Sequence, residues 1–225
     1  KPDATFYTPF TRIWNGALCT IPRMIECVAY WFRDARLTTL RTTGMSTGSV
    51  QSLFEDAFLA VLNRATEDDG FNRLVLAAGL SWREVSLLRA YSRYLRQVGT
   101  LYSQAYIEDA LAAHPELARA LVELFVGRLV PWSAGQTDTD RLVDELRAGL
   151  DAVTSLDEDR ILRSLLDLVL ATLRTNWFQS GGSDERRPTI ALKLDPNRIP
   201  DCPAPRPMYE IFVYSPRVEG VHLRA

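Results

Sequence analysis

Between Val50 and Phe178 apolar residues recur every three to four positions, and glycine, proline or a capping side chain interrupts the pattern at each break. A stretch of that length with a helical period can bury its apolar stripes only by packing helix on helix. No β-α alternation runs through it, so a doubly wound parallel sheet is excluded over these residues.

The breaks divide the stretch into helices. The first runs from about Val50 to Arg64, with Leu53, Phe54, Phe58, Val61 and Leu62 on one face, and ends at the acidic loop Glu67-Asp68-Asp69-Gly70. A short helix from Phe71 to Ala78 stops at Gly79. Ser81 then opens another, and Glu84 three positions on completes a capping box. That helix reaches about Val98, with Val85, Leu88, Tyr91 and Leu95 inward and Arg89, Arg93 and Arg96 outward, and Gly99 ends it. Ser103 caps a helix carrying Tyr106, Ile107, Ala110 and Leu111. His114-Pro115 starts the next, because proline fits a first helical turn, and its apolar face is Leu117, Leu121, Leu124, Phe125 and Val126. After a loop from Trp132 to Thr137, Asp138 or Thr139 opens an amphipathic helix with Leu142, Leu146, Leu150 and Val153. Ser155 and Glu158 form a second capping box. The helix behind it, reaching Trp177, is apolar nearly all round between Leu165 and Leu173, which places it in the middle of a bundle.

Beyond Gly181-Gly182 the period shortens to two. Thr189 to Leu194 alternates as a strand, a proline-rich connector follows, and Met208 to Tyr214 and Val218 to Arg224 form a hairpin around Ser215-Pro216. A lone hairpin buries too little apolar surface to offset the entropy of ordering it. The expectation is that its sheet is completed by polypeptide beyond Ala225. Three regions follow: residues 1–49 as an unassigned leader or junction, 50–180 as a helical domain, and 181–225 as a strand-containing region. Residues 1–49 hold Trp14, Trp31, many threonines and only three acids, and Ile25 to Phe32 fits either strand or helix.

The composition is that of a globular chain: 47% of the 225 residues are apolar, 24% are charged, and the net charge is −2. No electrostatic bias points to nucleic acid or a membrane surface. No apolar run is long enough to span a bilayer, and no secretory leader is visible. Cys19, Cys27 and Cys202 lack a C-x-x-C pair and read as free thiols in a reducing, cytoplasmic setting.

Several short motifs carry chemistry elsewhere. Gly44-Met45-Ser46-Thr47-Gly48 fits G-x-S-x-G, but the sheet that would expose a nucleophilic Ser46 is missing, and His222 is badly placed as its base. Val75, Gly79 and Val85 have helix-turn-helix spacing, and Arg83, Arg89, Arg93 and Arg96 are residues that phosphate contacts would use. A DNA-binding regulator is therefore the alternative reading, while a solvated arginine face on a bundle helix is the simpler one. Asp68-Asp69 and Asp157-Glu158-Asp159 read as an exposed loop and a helix N-terminus rather than a cation site, and His114 as the residue before a helix-starting proline. No phosphate-cradling glycine loop occurs, and Ser180 to Ser183 reads as a joint. No catalytic, cofactor-binding or metal-ligating residue is assigned.

The runs DGFNRLVLAAGLSWREVSLLRAYSRYLRQ (Asp69 to Gln97), YSQAYIEDAL (Tyr102 to Leu111), LRTNWFQ (Leu173 to Gln179) and ALKLDPNRIPDCPAPRPMYEIFVYSPRVEGVHLRA (Ala191 to Ala225) resemble the large multidomain NAD-dependent glutamate dehydrogenases of bacteria. The resemblance starts near Leu53 and leaves residues 1–49 outside it. It implies a mainly α fold in which a helical bundle (Val50 to Phe178) precedes a few β-strands that open a truncated α/β substrate domain. It also implies a parent enzyme that oxidises L-glutamate to 2-oxoglutarate and ammonia with NAD. The catalytic groups and nucleotide loop are expected after Ala225, leaving this segment structural, inactive alone, and partnered by the rest of the parent and other subunits.

Overall fold

The computed structural model describes residues 47–131, 138–179, 189–200 and 202–224, all within one compact unit, Thr38–Ala225. The described residues form seven α-helices and four strands: α1 (Thr47–Leu62), α2 (Arg73–Ala77), α3 (Trp82–Val98), α4 (Gln104–Ala113), α5 (Pro115–Leu129), α6 (Thr139–Asp151), α7 (Leu156–Ala171), β1 (Thr172–Thr175), β2 (Ile190–Leu194), β3 (Tyr209–Ser215) and β4 (Val218–Arg224).

Capping residues set most helix boundaries. Ser81 accepts from Glu84 N–H while the Glu84 carboxylate returns to the Ser81 N–H at 2.7 Å, a complete capping box. Gly99 closes α3 in the left-handed region at φ 102°, where a side chain would be strained. Ser103, Asp138 and Ser155 cap α4, α6 and α7, and Pro115 stands in the first turn of α5. The second capping box is only half made: Ser155 accepts from Glu158 N–H, but the Glu158 carboxylate turns to His114 Nε2 at 2.9 Å. An imidazole within reach competes with the serine N–H for that carboxylate.

α3 is the central helix. It contacts α1, α2, α4, α5, α7 and β3, and from Val85 to Leu95 only Arg93 escapes burial. Full burial of a leucine or tyrosine-sized side chain contributes about 1.5–3 kcal/mol, so Leu87, Leu88, Tyr91 and Tyr94, each at most 1% exposed, hold the bundle together. α7, expected in the middle, is buried on a broad face (Ile161, Leu162, Leu165, Leu166, Leu168, Val169, Ala171) but keeps Leu156, Asp157 and Arg160 exposed in its first turns.

α7 ends at Ala171, short of the expected Trp177. Thr172 to Thr175 instead form β1, antiparallel to β2. The four strands make an antiparallel sheet in the order β1-β2-β3-β4. The expectation that the closing hairpin finds its partners beyond Ala225 is therefore corrected: β3 pairs with β2 from Ile190↔Tyr214 to Leu194↔Glu210, and with β4 from Tyr209↔Arg224 to Ser215↔Val218. The apolar continuation of α7 had hidden the strand that starts this sheet. Ile190, Leu192, Leu194, Phe212 and Tyr214 face the helices and are buried.

Ser46, Cys19, Cys27, the Ile25 to Phe32 segment, the Trp132 to Thr137 loop and the Ser180 to Ser183 joint lie outside the described residues.

Candidate functional site

The densest polar arrangement is where the acidic loop after α1 meets α3 and the sheet. Arg89, 0% exposed, donates from Nε and Nη2 to the two Asp69 oxygens, both at 2.7 Å, a bidentate pair. Its remaining donors reach Thr66 Oγ1 at 3.0 Å, Ser86 Oγ at 3.3 Å and Asn72 Oδ1 at 3.1 Å. Burial by itself disfavours the charged guanidinium, but the hydrogen bonds and charge of Asp69 outweigh it and hold the pKa above the ordinary arginine range. Asp69 also caps the 3-10 turn Gly70–Asn72 by accepting from Phe71 N–H.

Glu67 links this hub to the sheet. One oxygen accepts from Tyr214 of β3 at 2.9 Å, and the other from Arg93 of α3 at 2.6 Å. Arg93 Nε stands 3.8 Å from Glu219 of β4. One residue on, Tyr94 donates to the buried Glu210 of β3 at 2.7 Å. Burial and then this acceptor push the Tyr94 phenol above its usual range. Tyr91 reaches Thr172 Oγ1 at 2.8 Å, and because the Thr172 hydroxyl proton goes to Leu168 C=O, Tyr91 is the donor. Thus three residues of α3 close together in sequence, Tyr91, Arg93 and Tyr94, hold β1, β3 and β4.

Beside the hub lies a cleft of about 520 Å³ lined by Arg93, Arg96, Gln97, Tyr102, Ser103 and Glu219, among others. Its polar groups are largely committed: Arg93 to two carboxylates, Ser103 Oγ to Tyr106 N–H at 3.2 Å, and Tyr102 to Asp157 at 2.9 Å.

The structure separates the residues grouped as a DNA-binding face. Arg83 stacks on Trp177, its guanidinium carbon 4.7 Å from the ring centroid; Arg89 is buried; Arg93 is paired; and Arg96 lies 3.5 Å from Gln104. Arg89 and Arg93 therefore do not point outward as expected. A buried guanidinium is stable when its donors find acceptors, and Asp69, Asn72, Thr66 and Ser86 supply these to Arg89, while Arg93 is held by Glu67 with its Nε making no hydrogen bond. The small residues Ser86, Ala90 and Ser92 on α3 were the missed sign that neighbours close over this face. α2, at five residues, is also too short to support a crossing recognition helix.

The acidic triplet diverges: Asp157 accepts from Tyr102, Glu158 meets His114, and Asp159 pairs with Arg163. Among the described residues no set of three or more His, Cys, Asp or Glu converges as a metal site. Cys202 is buried and free, and burial raises its thiol pKa. His222 stands exposed on β4.

The family model described as glutamate dehydrogenase, helical motif 3, matches residues 66–131. A second, described as bacterial NAD-glutamate dehydrogenase, catalytic domain, matches residues 145–225. Proteins named NAD-specific glutamate dehydrogenase are similar at high identity: 44% over 200 residues for that of Pseudomonas aeruginosa, 52% over 175 for Mycobacterium tuberculosis, and 42% over 197 for Halomonas elongata. Over these residues the chain belongs to the bacterial NAD-glutamate dehydrogenase family. The alignments take in 87%, 76% and 87% of the chain but only 12%, 11% and 12% of the respective relatives, so the chain spans about an eighth of their length. An 87% share is more than residues 50 onward provide, so likeness to the dehydrogenases reaches back into residues 1–49, which had been set outside it. The ionic hub falls in helical motif 3, and its sheet contacts in the catalytic-domain match.

These relatives are NAD-specific, and a dinucleotide is ordinarily held at a glycine-bearing turn from a strand into a helix. Among the described residues β1 follows a helix and β3 leads by a tight turn to β4; no strand runs into a helix of more than one turn. A dinucleotide seat of that kind is not formed among the described residues.

Proposed function

We propose that this chain is the bracing segment of a larger NAD-dependent glutamate dehydrogenase. The parent oxidises L-glutamate to 2-oxoglutarate and ammonia and passes a hydride to NAD, and the segment itself takes no part in hydride transfer. What supports this reading is the set of contacts by which α3 holds the sheet, through Tyr94–Glu210, Arg93–Glu219 and the Tyr214–Glu67–Arg93 bridge. A binding domain must hold its groups to within fractions of an ångström for reaction, and a rigid second layer supplies that precision. Its partners are the rest of the parent polypeptide and further subunits, with no nucleic acid and no membrane, in the cytoplasm. None of the described helices is long and apolar enough to cross a bilayer.

The test is a glutamate-dependent NAD-reduction assay on the folded 225-residue chain and on the full-length polypeptide that carries it. The expected result is turnover by the second alone; turnover above blank by the first overturns the bracing role.

A further inference from the structure

The sheet sorts its charges by face. Its four strands hold two carboxylates, Glu210 and Glu219, and both turn to the helices, to Tyr94 and Arg93. They hold four basic side chains, Arg174, Lys193, His222 and Arg224, and all four fall on the opposite face. The register shows this: Arg174↔Lys193, Lys193↔Ile211 and Ile211↔His222 form one row across all four strands, and Tyr209↔Arg224 lies in the neighbouring row on the same side. Asp195, just past β2, is engaged by Arg198 at 3.3 Å.

Between Arg174 and Lys193 on one side and His222 and Arg224 on the other lies an apolar floor of Tyr209, Ile211 and Val213, each half-buried, with Val218 67% exposed at its end. The Lys193 ammonium sits over the Tyr209 ring, 3.6 Å from its centroid. Such a segregation is not a by-product of composition, because the chain as a whole has net charge −2. A cationic rim around an apolar floor complements an amphipathic polypeptide whose polar face is acidic; a bare polyanion would leave the floor unused.

We propose that the outward face of the sheet is a docking surface for an acidic amphipathic segment of the parent polypeptide, with Lys193 and Arg174 on its cationic rim. This rests on the bracing reading above, under which most of the parent lies outside the chain described.

The lysine makes the proposal testable, because Lys1 and Lys193 are the only lysines in the sequence. Acetylation of Lys193 is followed by mass spectrometry in the isolated 225-residue chain and in the full-length polypeptide. Reactivity scales with the uncovered fraction, so a site covered 90% of the time reacts about ten-fold more slowly in the full-length protein. Carbodiimide coupling, which joins an amine to a touching carboxylate as an amide, is expected to link Lys193 to an Asp or Glu outside these 225 residues. Equal acetylation rates in the two proteins, or coupling only to acids of this chain such as Asp184 or Glu185, would overturn the proposal. So would protection of the isolated chain's Lys193 by duplex DNA. Glutamate-dependent NAD reduction by the same full-length sample keeps the two readings apart: activity with an unprotected Lys193 sinks the docking surface and leaves the bracing role standing.

Discussion

At the scale of single residues, the buried Arg89–Asp69 pair is the point on which the acidic loop turns. Removing one partner of a buried, hydrogen-bonded pair strands the other charge, at a cost of about 3–5 kcal/mol. Arg89→Met is expected to lose that much stability in urea denaturation, while Arg89→Met combined with Asp69→Asn loses less than the sum of the two single changes, as coupled residues do. Glu108 makes the opposite prediction. It is 7% exposed, and burial raises its pKa despite Gln104, with Asp69 adding to the rise and Arg73 and Arg89 opposing it. A carboxyl whose folded pKa is raised stabilises the fold while protonated, and that contribution is lost as pH rises through the folded pKa. Glu108→Gln is thus expected to melt higher than the parent chain at pH 7, with the gap closing as pH falls below the ordinary carboxylate range; a gap that widens on acidification would refute this. Neither feature was legible in the sequence. Arg89 and Asp69 stand 20 positions apart, and helical periodicity assigns an arginine between Leu88 and Tyr91 to the outside unless the covering loop is known.

At the scale of elements, what was legible was local. The caps at Ser81, Ser103, Asp138 and Ser155, the stop at Gly99 and the start at Pro115 depend on side chains reaching their own neighbours, and they stand where the residues put them. Ser81→Ala should cost about 1 kcal/mol, the usual loss for an N-cap, read as a shift in urea midpoint with unchanged slope. Leu166, 4% exposed on α7, is expected to tolerate no charge: Leu166→Asp should abolish the cooperative melt. β1 was illegible because Leu173, four positions after Val169, keeps the helical spacing of the apolar face of α7, and only the ladder to β2 turns Thr172 to Thr175 into a strand. Tyr94→Phe tests the tie between layers. It leaves Glu210 buried without its donor, a loss of about 1–3 kcal/mol, and hydrogen exchange in β3 should quicken more than in α6.

At the scale of the whole molecule, the mainly helical class and the closing hairpin were readable from period alone, while the placing of the sheet on α3 was not, because it runs through contacts such as Tyr214–Glu67, 147 positions apart. The bracing role depends on α3 and the sheet behaving as one body. Native-state hydrogen exchange as a function of urea measures this most directly. The slowest amides of α3 and of β3 are expected to converge on one opening free energy, that of global unfolding. A β3 that opens at a distinctly lower free energy while α3 stays protected would contradict the account.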